Sequence, residues 1–102
     1  MIAQTILQQI GGQRFIVMTG SKNLTDLGNG LLMSLTKNKT SANRLEIIYD
    51  EDWDLYNMRF YRKTFSKKTF KSKTKDIAKY EGVYFDMLEE LFTRVTGLNT
   101  IL

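Results

Sequence analysis

Ile2, Ile6, Leu7 and Ile10 recur at spacings of three and four, which predicts a short amphipathic helix at the start of the chain. Gly11-Gly12 supplies the left-handed backbone that ends helices. The period then switches. Arg14-Phe15-Ile16-Val17-Met18-Thr19 is rich in β-branched and large apolar residues and predicts a strand. Its nearly unbroken apolar run implies cover on both faces, at the centre of a sheet. Gly20 to Gly30 reads as a turn-rich connection.

Alternation follows. Leu31, Met33 and Leu35 alternate with Leu32, Ser34 and Thr36 in a second strand, and Lys37 to Asn43 reads as a polar hairpin-type loop. Leu45, Ile47 and Tyr49 give one face of a third strand, and Asp50 to Asp54 an acidic turn. Tyr56, Met58 and Phe60 then oppose Asn57, Arg59, Tyr61 and Lys63 in a fourth strand. Ser66-Lys67-Lys68 suits a turn before a fifth extended stretch from Thr69 to Tyr80, where apolar positions are few. Tyr84, Met87, Leu88, Leu91, Phe92 and Val95 keep helical spacing, and Gly97 is placed as the stop. Leu98, Ile101 and Leu102 make an apolar tail expected to fold back onto the core. The expected architecture is α+β: a short N-terminal helix, an antiparallel meander of four or five strands and a C-terminal amphipathic helix packed on one sheet face. The other face is left to solvent or a partner.

Length changes this picture little, because 102 residues suit one domain, spanning 1–102, with a core of its own. Absence of residue types says more. Without cysteine there is neither disulfide nor thiolate metal site, in keeping with a reducing cytoplasm. Without histidine the commonest general base and zinc ligand are missing. No apolar run approaches the ~20 residues that span a bilayer, and the N-terminus lacks the cationic start of a signal peptide. The expectation is a cytoplasmic, non-enzymatic protein with no cofactor and no membrane partner.

Charge changes the picture most. Arg59 to Lys75 (RFYRKTFSKKTFKSKTK) holds eight of the 15 cations and none of the 11 acids. The rest of the chain therefore carries a net charge of −4 under an overall +4. Alternation puts Arg59, Tyr61 and Lys63 on one face and Phe60 and Arg62 on the other. Interleaved rings and cations suit single-stranded nucleic acid, because rings stack on bases while cations track phosphates. A basic two-stranded ribbon also fits a duplex groove. Arg59, Arg62, Lys63, Lys67, Lys68, Lys71, Lys73 and Lys75 are the expected phosphate contacts, and Tyr61, Phe65 or Phe70 the expected stacking rings. A solvated strand edge is the bland reading, since lysines there discourage sheet-to-sheet pairing. Yet so many cations without a counter-acid repel one another, which favours an anionic partner: nucleic acid, a nucleoprotein or an acidic protein surface.

Asp50, Glu51, Asp52 and Asp54 around Trp53 have the donor type for Mg²⁺, but no catalytic lysine is organised beside them and a solvated turn explains them better. The same cluster could pair with the basic segment of a second copy, giving a head-to-tail homodimer. The glycine clusters do not lie between a strand and a following helix, as a phosphate loop requires.

Three segments, IGGQRFIVMTGSKNL (Ile10 to Leu24), DLYNMRF (Asp54 to Phe60) and EGVYFDMLEELFTRVTGLNTIL (Glu81 to Leu102), resemble small proteins encoded by bacterial phages and integrated mobile elements. The similarity covers somewhat under half the chain, and the Lys-rich stretch from Lys67 to Lys75 departs from the pattern. The resemblance assigns no activity and no catalytic residue. It implies an accessory protein of the bacterial host cytoplasm that binds nucleic acid or, alternatively, blocks a host factor as an anti-defence (anti-CRISPR-like) inhibitor.

Overall fold

The computed structural model describes residues 2–100. Two helices, α1 (Ile2–Ile10) and α2 (Gly12–Thr19), precede five strands: β1 (Lys22–Asp26), β2 (Gly30–Ser34), β3 (Arg44–Asp50), β4 (Leu55–Ser66) and β5 (Lys71–Val83). A 3₁₀ turn (Phe85–Met87) leads into α3 (Leu88–Thr96). The strands form one antiparallel sheet in sequence order, the meander that the alternation of Leu31 to Phe60 predicts.

The segment from Arg14 to Thr19 is helical, which corrects its reading as a central strand. The local run is β-prone, but its burial follows a helical period. Gly12, Phe15 and Thr19 are buried, while Val17 is 70% exposed. Gly11 breaks the chain between α1 and α2 at φ 132°, a conformation that favours glycine, and the helix restarts on a new axis. The expected end of α1 is therefore observed, followed by a helical corner. The strand count of five is made up instead by β1, inside the stretch read as a turn. β1 is exposed along its whole length, so it has no alternation to announce it.

One sheet face is covered. Leu31, Met33, Leu45, Ile47, Tyr56, Met58 and Phe60 point towards Ile6, Ile10, Phe15, Leu88, Leu91, Phe92 and Val95 in a single core. Phe92 is its hub, with Phe15 at 4.8 Å edge-to-face and Phe60 at 6.3 Å between ring centroids. Such ring pairs add about 0.5–1.5 kcal/mol each beyond area burial. The last helix is shorter than its sequence spacing implies. Tyr84 and Phe85 are more than half exposed and Met87 is 38% exposed, because the regular helix starts only at Leu88. Gly97 ends it in the left-handed conformation, donating its N–H to the Thr93 carbonyl. Leu98 packs against the core, whereas Ile101 and Leu102 lie outside the described residues.

Candidate functional site

The fourth and fifth strands are far longer than their neighbours, and this builds the site. β3 pairs with β4 only from Leu55 to Tyr61. Beyond Tyr61, β4 pairs with β5 alone, in the register Arg62↔Lys75, Lys63↔Thr74, Thr64↔Lys73, Phe65↔Ser72 and Ser66↔Lys71. Five residue pairs at ~3.4 Å rise make an arm roughly 15 Å long, standing clear of the helical layer. The turn at its tip is Lys67–Phe70, so β4 runs through Ser66, and β5 begins at Lys71. That corrects the expected turn at Ser66 to Lys68 and the expected strand start at Thr69.

The root of the arm is fixed where β3 runs out. Asn43 accepts from the Lys63 N–H through Oδ1 at 2.8 Å and donates through Nδ2 to the Lys63 carbonyl at 2.9 Å. Its own N–H donates to the Tyr61 carbonyl at 3.0 Å. One side chain thus replaces the next rung of the β3–β4 ladder. Arg62 adds an Nη1 bond to the Ser41 carbonyl at 3.0 Å. A register shift between Phe60 and Tyr61 leaves one unpaired residue, Ile77, on β5 at this level, and such bulges increase strand twist.

Arg59 and Tyr61 belong to this root. Asp76 accepts from Arg59 Nε at 2.6 Å, and the Arg59 guanidinium lies 4.2 Å above the Tyr61 ring. The hydrogen bond to Asp76 is the main reason that the Arg59 pKa is raised above its ordinary value. Tyr61 is buried beneath this pair, at 7% exposure, so it does not face solvent as the alternation implies. Phe60 lies wholly in the core.

The other named residues are brought together on the arm. By register, Arg62, Thr64 and Ser66 share a face with Lys75, Lys73 and Lys71, giving four cations interspersed with two hydroxyls. The reverse face carries Lys63, Thr74, Ser72 and Phe65. Lys67 and Lys68 occupy the turn. Seven cations, Arg62, Lys63, Lys67, Lys68, Lys71, Lys73 and Lys75, are exposed, and none forms an ion pair among the described residues. Arg62 and Lys75 are direct cross-strand neighbours, an arrangement of like charge that destabilises a ribbon. Phe65 and Phe70, 58% and 79% exposed, pack edge-to-face at 6.4 Å between centroids.

The opposite end of the sheet has the opposite charge. Asp50, Glu51, Asp52 and Asp54 cluster in the β3–β4 turn, and Glu81 and Asp86 flank the end of β5. No lysine or arginine occurs from Leu45 to Met58 or from Tyr80 to Thr93. Within the acidic turn the groups bond locally: Asp50 Oδ1 accepts from the Asp52 N–H, and Asp54 Oδ1 from the Tyr49 hydroxyl at 2.7 Å. That bond to Asp54 is the first cause of a raised Tyr49 pKa. Among the described residues no group of three or more carboxylates converges as a metal site. No helix among them is long and apolar enough to cross a membrane.

Asn43, Ser41 and Asp76 are the site residues that sequence reading did not single out. Each acts through a partner 17 to 21 positions away, in a register that the local pattern does not contain. No protein-family model, curated protein or solved structure matches the chain.

Proposed function

We propose that this protein is a non-catalytic binding module that grips nucleic acid, free or within a nucleoprotein, with the β4–β5 arm. The observation that carries the reading is the set of seven exposed cations, without an ion-pair partner among the described residues, on a ribbon whose side chains are nearly all exposed. Like charges at such density cost stability in the free protein, and a polyanion removes that cost. The acidic far end strengthens the reading, because it repels a polyanion and turns the arm towards it. We propose the cytoplasm of a bacterial host as the place of this activity, a reading supported only by the resemblance of its segments to phage and mobile-element accessory proteins.

Fluorescence anisotropy with labelled single- and double-stranded DNA and RNA tests the proposal. If all seven cations reach phosphates, log K against log salt falls with a slope of about −6 on duplex DNA and about −5 on a single strand. Absence of binding to every one of these at low salt overturns it. Capture of a nuclease-resistant host protein in its place would assign the arm to an acidic protein surface and the chain to protein-directed inhibition.

A further inference from the structure

The tip of the arm holds two large apolar rings where no core exists to receive them. Among the described residues three that are not glycine have positive φ: Asn23, Asp54 and Phe70. Asn and Asp tolerate that conformation, whereas a bulky side chain rarely adopts it. At φ 50° Phe70 occupies a turn position that a glycine fills without strain, and its ring is the most exposed of the large apolar side chains among the described residues. Phe65 braces it from the last turn-proximal strand positions, their planes inclined at 65°. Steeply inclined rings cannot form the platform on which successive bases of a single strand stack. They form one blunt knob, with Lys67 and Lys68 in the same turn and a cationic ribbon behind it.

We infer that this knob is a wedge for duplex DNA. The cationic face of the arm lies along the phosphates, and Phe70, backed by Phe65, enters a base step from the minor groove and bends the helix. Apolar side chains inserted in this way partly unstack a step and kink the duplex by roughly 20–90°. The minor groove is about 6 Å wide and 7.5 Å deep, too narrow for two strands about 4.8 Å apart with their side chains, so the strands stay on the flanking phosphates and only the ring-bearing tip enters as the duplex kinks towards the major groove. Pyrimidine–purine steps unstack most easily and are the expected points of entry.

This inference rests on the nucleic-acid reading above, and the test separates the two. A short duplex carrying a central TA step is labelled at both ends, and its end-to-end distance is followed by fluorescence energy transfer as protein is added. The full-length protein is expected to shorten the distance. Phe70→Ala is expected to bind the duplex several-fold more weakly, with an unchanged salt slope because no cation is removed, and to leave it straight. The position is exposed, so the variant's thermal midpoint should match the parent's. Binding by the parent protein without bending, bending retained by Phe70→Ala, or tighter binding to a single strand than to the duplex would each overturn the wedge while leaving the grip intact. Failure of the parent protein to bind any nucleic acid overturns both.

Discussion

The inner and outer halves of the β4–β5 hairpin use similar residues to opposite ends. In the inner half Phe60 is wholly buried, Arg59 is paired with Asp76, and Tyr61 is sealed under the guanidinium. In the outer half Phe65 and Phe70 stand in solvent and seven cations have no carboxylate partner among the described residues. The change occurs at the residue where β3 ends and Asn43 takes its place. What separates core residues from the proposed binding residues here is their neighbours. A ring with a third strand and a helix beside it is core, and a ring on a bare ribbon is available to a ligand.

The largest effect that tests this contrast is a pair of identical truncations. Phe60→Ala should cost about 3–5 kcal/mol, since it empties the space between Phe92 and Tyr80. Phe65→Ala should change stability by no more than about 0.5 kcal/mol. Chemical denaturation read by circular dichroism compares them. Equal losses would mean that the outer half is part of the core after all.

Next comes the charge. Replacing Lys71, Lys73 and Lys75 together with glutamine should flatten the salt slope of nucleic-acid binding by about 3. The same triple variant should melt no lower than the parent, because Arg62 loses the like charge opposite it. Anisotropy titrations and thermal melts on the same samples give both numbers.

Smaller still is the joint. Asn43→Ala leaves the Lys63 N–H and carbonyl without their partner and should cost about 1–2 kcal/mol. Hydrogen exchange should quicken first at Lys63 and its neighbours on the arm. Exchange that quickens evenly over the sheet would deny Asn43 this local role. The smallest effect is expected from Asp76→Asn. The Arg59 pair is partly exposed, so its loss should cost less than about 1 kcal/mol. That variant should bind nucleic acid slightly more tightly, since it frees one more cation at the root.

The alternation through β3 into β4 and the spacing of Leu88 to Val95 made the α+β meander and its C-terminal helix legible, because in both the burial period equals the period of the secondary structure. Two segments broke that link. In α2 a β-prone composition lies on a helix that buries only a narrow stripe, and the glycine break ahead of it fixes its direction. In β1 no side chain is buried, so a strand exists by hydrogen bonding to β2 alone. The cationic segment was visible as composition. Its division into a root that is neutralised and an arm that is free was not, since this depends on where β3 stops. The gathering of Arg62, Lys75, Lys73 and Lys71 on one face of the arm depends likewise on cross-strand register.

The central claim is that the outer half of the hairpin binds and the rest of the chain carries it. The most direct measurement is an anisotropy titration across salt concentrations, comparing the full chain with one in which residues 63–74 are replaced by Asn-Gly, a pair suited to a two-residue hairpin turn. The account predicts steep salt-dependent binding by the full chain, and a shortened chain that melts cooperatively and binds nothing. Equal binding by the two, or none by the full chain at low salt, would contradict it.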